Sequence, residues 1–260
     1  MTNPARVLAP VLVGALLLIA WELAVDLEGI PPYILPGPLL IAKTLVTDGP
    51  SLLASLAVTL RITLAALAAA VILGGAIAIM FAQWRVLEIS FFPYAVILQV
   101  TPIVSIAPLI IIWVNNTFAS LLICAWIVAF FPIVANTTLG LNSADRNLAA
   151  LFQLYGASRW QALRFLRLPS ALPLFLAGVR ISGGLALIGA VVAEFVAGTG
   201  GSSTGLASRI LEAGYRLEIP RLFAALFLLS LTGILIFAVL SFLSNALLKR
   251  WHESALPEEE

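Results

Sequence analysis

The chain predicts an all-α, polytopic membrane protein with about six transmembrane helices. Three observations carry this. Hydrophobic residues make up 62% of the sequence and charged residues only 10%, where soluble domains carry about 25% charge. The mean hydropathy is +1.09. The apolar residues fall into runs of about 18 or more, long enough to cross a bilayer as a helix. Backbone groups inside a bilayer must pair internally. The short alternating strands of a barrel are not in the pattern, so the spans read as helices.

Six spans follow in order, at residues 7–25, 53–81, 89–113, 119–139, 174–196 and 222–248. The first follows Arg6 and has no small-residue cleavage site after it, so it reads as a retained span rather than a signal peptide. Between the first two spans, Pro36 and Pro38 break the chain and residues 39–46 suit a short interfacial helix. Gly74-Gly75, and Gly183-Gly184 with Gly189, permit close helix contact. The third span holds Pro93, Pro102 and Pro108, which free backbone carbonyls and bend a helix. Gln99, Thr101, Pro102 and Ser105 of that span are candidates for a polar translocation pathway, with a helix kinked only for packing as the alternative. Asn115, Asn116 and Asn136-Thr137-Thr138 read as caps and interface residues at span ends.

Residues 151–173, LFQLYGASRWQALRFLRLPSALP, form a polar, arginine-bearing segment between apolar runs. Arg159, Arg164 and Arg167 give it charge, and Trp160, Phe165 and Leu166 give it an apolar side. Pro169 and Pro173 are expected to stop any continuous helix there. Farther on, GTGGSSTG at 198–205 reads as a hinge, and LASRILEAGYRLEIP as an amphipathic helix at the membrane surface. The tail, 249–260, reads as solvated. One transmembrane domain fills 1–260, with its core at 53–248.

Loop charge sets an expected orientation. With the N-terminus inside, Arg6, Arg85, Arg146, Arg159, Arg164, Arg167, Lys249 and Arg250 are cytoplasmic, and Lys43, Arg209, Arg216 and Arg221 lie outside. That excess places both termini and residues 151–173 in the cytoplasm. Arg61 and Arg180 fall within spans.

Several chemistries are excluded. A net charge of +1 argues against a nucleic-acid partner. Cys124 is the single cysteine, so no intrachain disulfide or thiolate metal cluster forms, and His252 is the single histidine, on the tail. No catalytic constellation is present. The glycine run at 198–205 lacks the lysine of a phosphate loop, so the chain carries no ATPase of its own and energy must come from elsewhere. Glu194 is the clearest membrane-buried acid: a pathway or gate residue, half of a structural pair with Arg180 or Arg61, or an interfacial acid. Arg180 lies 14 residues earlier, about 21 Å along a helix, so a partner must come from another helix or chain. A secondary transporter using Glu194 for ion coupling is the competing class; it leaves residues 151–173 unexplained.

The segment Gly156-Ala157 followed by Leu168-Pro169 and Pro173 resembles the signature of permease subunits of ATP-driven (ABC-type) importers. Further matches are LPGP at 35–38, SLAVTLRI at 55–62, TPIVSIAPLIIIW at 101–113, LPSALPLFLAGVRI at 168–181 and VVAEFVAGTGG at 191–201. The resemblance is to the branch serving sulfonates, taurine, nitrate and pyrimidine-precursor or riboflavin-type vitamins, and the wording of 99–113 leans toward the vitamin side. One departure stands out. The signature usually opens Glu-Ala-Ala, where this chain reads Ala150-Leu151-Phe152. The resemblance implies an inner-membrane protein that moves a small polar solute by alternating access. It implies a cytoplasmic coupling helix that docks a separate ATPase through Tyr155, Gly156, Ala157, Ser158, Arg159, Trp160, Arg164, Leu168 and Pro169. It also implies a second permease copy or paralogue and an external solute-binding protein. ATP and Mg would sit on the ATPase, with no cofactor in this chain.

Overall fold

The computed structural model describes residues 4–198 and 204–249. Most of the 198–205 hinge and the tail with His252 therefore lie outside the described residues. The helices are α1 (Pro4–Leu27), α2 (Pro38–Thr47), α3 (Gly49–Gln83), α4 (Arg85–Val100), α5 (Ile103–Trp113), α6 (Thr117–Asn142), α7 (Arg146–Leu154), α8 (Arg159–Ala197), α9 (Leu206–Tyr215) and α10 (Ile219–Leu248). Among the described residues no strand forms. Helices α1, α3, α6, α8 and α10 are long and apolar enough to cross a membrane, and α4 with α5 makes a sixth if counted as one bent span.

Two expectations about proline are corrected. The third span is not one kinked helix: α4 and α5 meet at 100°. Thr101 and Pro102 are both extended there, since a residue before proline is pushed out of the helical region. Pro169 and Pro173, by contrast, stop nothing, and α8 runs through both for 39 residues. A π turn at Leu163–Arg167, with its wider bonding, sits directly ahead of Leu168-Pro169 and takes up the ring where an α-helical turn would clash. A second π turn, Ala70–Gly74, widens α3. Helix α6 also outlasts its predicted end, so Asn136, Thr137 and Thr138 lie inside it. Asn116 does cap it, accepting from the Ala119 N–H at 2.9 Å.

The chain forms two compact units, Met1–Val58 with Gly198–Ser230 and Thr59–Ala197 with Leu231–Glu260. In the first, Glu22 of α1 accepts from the Leu39 N–H at 2.9 Å, supplying the cap that Gly37 cannot give α2. Trp21 packs on Phe223 with ring centroids 6.0 Å apart. Helix α9 is amphipathic as predicted; it buries Leu206, Ala207, Ile210 and Ala213. Its polar side holds Glu212 between Arg209 (2.7 Å) and Arg216 (2.9 Å), and Arg209 also donates to Ser55 of α3.

The second unit is organised by an antiparallel seam between α6 and α8. A Cβ added at Gly140 would fall 2.9 Å from Ala171 Cα, one at Gly178 2.9 Å from the Pro132 carbonyl oxygen, and one at Gly189 2.9 Å from Ala125 Cα. Real side chains do not approach backbone that closely, so glycine sets the helix separation. Between them the Ser182 hydroxyl donates to the Ala129 carbonyl at 2.7 Å, and Ala129 and Ala186 are fully buried. Of the glycines singled out in the sequence, Gly189, Gly74 and Gly183 meet neighbours in helix contacts, the last against Leu240 and Ile236, and Gly184 and Gly75 face open space.

Gly189→Val should force the seam apart and destabilise the protein by about 1–3 kcal/mol. Gly184→Ala, which meets nothing within 4 Å, should leave stability unchanged or slightly raised. Thermal unfolding of both purified variants in detergent checks the contrast.

The hydrogen bond from Arg209, followed by the charges around it, holds the Glu212 carboxyl below its usual range. Its contribution to anchoring α9 is complete above the ordinary carboxylate pKa and is lost as pH falls through the lower folded value. Amide exchange across Leu206–Tyr215 should therefore accelerate on acidification, and Glu212→Gln should show fast exchange already at neutral pH.

Candidate functional site

Residues 143–169 are built from short, well-capped pieces. The Asp145 carboxylate accepts from the N–H groups of Asn147 and Leu148 at 2.7 and 3.0 Å and starts α7. Gly156 ends it with φ +66°, in the left-handed region that closes a helix, while Ala157 N–H returns to the Phe152 carbonyl at 2.9 Å. Ser158 and Gln161 then form a reciprocal capping box: Gln161 accepts from the Ser158 N–H (2.7 Å) and Ser158 from the Gln161 N–H (3.3 Å). The start of α8 is thereby fixed within two residues of the α7 turn.

This scaffold sorts its side chains sharply. Leu163 and Leu166 are buried; Leu163 packs with Ala78, Leu141 and Ala171, beside Ile79 and Ala82. The Arg167 guanidinium donates to the Ala82 carbonyl at 2.8 Å. The opposite side is left bare. Tyr155 is 80% exposed and Trp160 69%, and Leu154 and Phe165 are exposed with them. Arg164 lies 5.7 Å over the Phe165 ring, and Arg159 is exposed nearby in sequence. The predicted docking residues Tyr155, Gly156, Ala157, Ser158, Arg159, Trp160, Arg164, Leu168 and Pro169 all fall on this segment; Ala157 is half-buried and the rest are exposed. A Cβ at Gly156 would meet nothing within 4 Å, so within this chain its backbone angle, not crowding, demands glycine. Sequence reasoning missed Gln161, although Ser-x-x-Gln is a readable capping signature, and it missed Asp145.

Glu194 is 1% exposed. Its Oε2 accepts from the Thr59 hydroxyl of α3 at 3.1 Å, and Thr63 donates to the Thr59 carbonyl at 2.8 Å. Both threonines are fully buried. A partner does come from another helix, and among the described residues the two arginines considered are engaged elsewhere: Arg180 donates to Ser244 (3.0 Å) and Arg61 lies 5.1 Å over Phe118. Nothing in the sequence marked Thr59 beyond its place in SLAVTLRI.

Gln99, Thr101, Pro102 and Ser105 gather at the α4–α5 corner. The Thr101 hydroxyl donates to the Ile97 carbonyl at 2.7 Å, and Ser105 N–H to the Pro102 carbonyl at 3.0 Å. Gln99, Pro102 and Ser105 are exposed on the single chain. Glu194 accepts a hydrogen bond from Thr59 of α3.

Gly156→Ala should strain the α7–α8 turn by about 1–2 kcal/mol, because alanine resists the left-handed conformation. Faster amide exchange at residues 152–158, with the rest of α8 unaffected, is the expected readout.

With this geometry in hand, comparisons place the chain among known proteins. Residues 66–253 match the family described as binding-protein-dependent transport system inner membrane component. The riboflavin transport system permease protein RibX of Chloroflexus aurantiacus is 37% identical over 92% of this chain and 88% of its own length. The formylaminopyrimidine transport permease protein ThiX of Halalkalibacterium halodurans is 34% identical over 95% of this chain and 98% of its own. A crystal structure of an amino acid ABC transporter with histidines shares the fold at TM-score 0.63 and 16% identity, over 78% of this chain and 97% of that one. The chain belongs to the family of inner-membrane components of binding-protein-dependent transport systems and is a permease subunit of an ABC importer.

Proposed function

We propose that this permease works with a separate ATPase that seats on the bare face of residues 154–169. One observation carries the reading: Tyr155, Trp160 and Phe165 are held in the open beside Arg159 and Arg164 on capped helix ends. Tyrosine, tryptophan and arginine are the side chains that dominate binding hot spots, and exposing them on a rigid frame costs solvation that a partner recovers. ATP and Mg belong to that partner, and this chain hydrolyses nothing. The segment faces the cytoplasm with both termini, in keeping with the arginine excess of the loops on that side.

The pathway lies between this chain and a second permease, a copy or a paralogue, which covers the exposed corner of Gln99, Thr101, Pro102 and Ser105. Glu194, hydrogen-bonded across to α3, acts on its gate. An external binding protein delivers the solute. Among relatives of this similarity, ThiX and RibX are named for formylaminopyrimidine and riboflavin transport, so we infer a small polar solute of the pyrimidine-precursor or riboflavin kind; sulfonates, taurine and nitrate, named for more distant relatives, come second. Ion coupling through Glu194 is the weaker reading, since the family is driven through binding proteins.

The test is co-purification of the tagged permease with the ATPase and binding protein encoded beside it. Trp160→Ala should weaken ATPase association by about tenfold or more. Glu194→Gln should leave association intact and lower uptake of whatever solute the binding protein retains. Wild-type association of the Trp160 variant would overturn the docking reading.

A further inference from the structure

We propose that Arg167 is the strut that passes displacement of the docking segment into the membrane span α3. It is a positioning residue for the docking reading above and rests on that reading. Three observations converge on it.

Its Nη1 donates to the Ala82 carbonyl at 2.8 Å, a contact spanning 85 residues of sequence. Ala82 lies in the last turn of α3, whose carbonyls have no partner within the helix. The Trp84 N–H already takes the Met80 carbonyl. Arg167 supplies a charged donor two residues farther on, at the negative end of the helix dipole. The bond is therefore a helix cap delivered from another element.

Arg167 is also the last residue of the π turn Leu163–Arg167. Such turns carry one residue more per turn than an α-helix and so redirect the side chains that they contain. Within those five residues the sorting is complete. Leu163 and Leu166 turn inward, Arg164 and Phe165 outward to the docking face, and Arg167 toward α3. The same turn thus holds the partner-facing groups and the group that grips the span.

Finally, the other link between this turn and the end of α3 is apolar. Leu163 rests among Ala78, Leu141 and Ala171, with Ile79 and Ala82 against the cluster. Such apolar packing is non-directional. A charge-assisted hydrogen bond is directional, and resists both sliding and separation. Beside it lies a cavity of about 150 Å³, lined among others by Asn142, Gln153, Ala162, Leu166 and Arg167. Arg167 borders that space yet is tied to α3. Motion of the segment must then pull on the end of α3, the helix that also carries Thr59, the hydrogen-bond donor to Glu194.

The experiment is hydrogen–deuterium exchange on the complete importer in nanodiscs, nucleotide-free and trapped with ADP and vanadate. In the wild type, trapping should change exchange by about threefold or more both at residues 159–167 and at residues 79–84. In Arg167→Ala the response at 159–167 should persist and that at 79–84 should vanish; Arg167→Lys, which keeps a charged donor, should restore it. A purely structural cap would shift basal exchange at 79–84 equally in both states and leave the trapping response in place. A trapping response at 79–84 in Arg167→Ala equal to wild type would overturn the strut while leaving docking intact. Absence of any wild-type response at 159–167 would overturn docking and the strut together.

Discussion

The close backbone contact between α6 and α8 is the constraint on which the rest of the second unit depends. Gly140, Gly178 and Gly189 let the two helices meet with almost no side chain between them, and Ser182 ties them through a backbone carbonyl. Within lipid there is no hydrophobic drive to press helices together, so dispersion contacts and buried hydrogen bonds must do it. Helix α8 runs for 39 residues, about 58 Å, and the seam lies along its middle. That helix carries the proposed docking face at one end and Glu194 near the other.

Much of this was legible in the sequence, for identifiable reasons. Apolar runs must be helices in a bilayer, so five long helices and a sixth bent pair match the six spans drawn from composition. The docking segment stood out because arginines and aromatics rarely share a stretch of a membrane protein without a reason. The prolines were harder. Pro102 breaks its helix and Pro169 does not, although each is a proline preceded by a residue that it disfavours in helix. The difference lies in what surrounds them: an unconstrained corner at Thr101, but a π turn and the glycine seam at Leu168. Neither is visible one residue at a time. Gly140 and Gly178 escaped notice for the same reason, since a glycine's partner across a seam has no fixed spacing along the chain.

The site residues divide along the same line. Ser158 was marked for docking, and its role in the frame depends on Gln161, three residues on, which a capping signature makes readable. Thr59 reaches Glu194 over a separation of 135 residues and had no signature at all. Gln99, Thr101, Pro102 and Ser105 do converge, on an exposed corner, because the helix break that proline forces gathers them there. Local grammar reveals caps and corners; buried polar pairs between distant helices belong to the packed fold.

The π turn at Leu163–Arg167 also fixes an angular phase. An α-helix advances about 100° per residue, so the single surplus residue in that turn sets which way Trp160 and Arg159 point relative to every membrane-buried side chain of α8. A chain lacking one residue there would keep its composition, its spans and its caps, yet turn the aromatic face by about a quarter-turn relative to the rest of α8. Length in this short stretch is thus as much a part of the proposed recognition surface as the residues displayed on it.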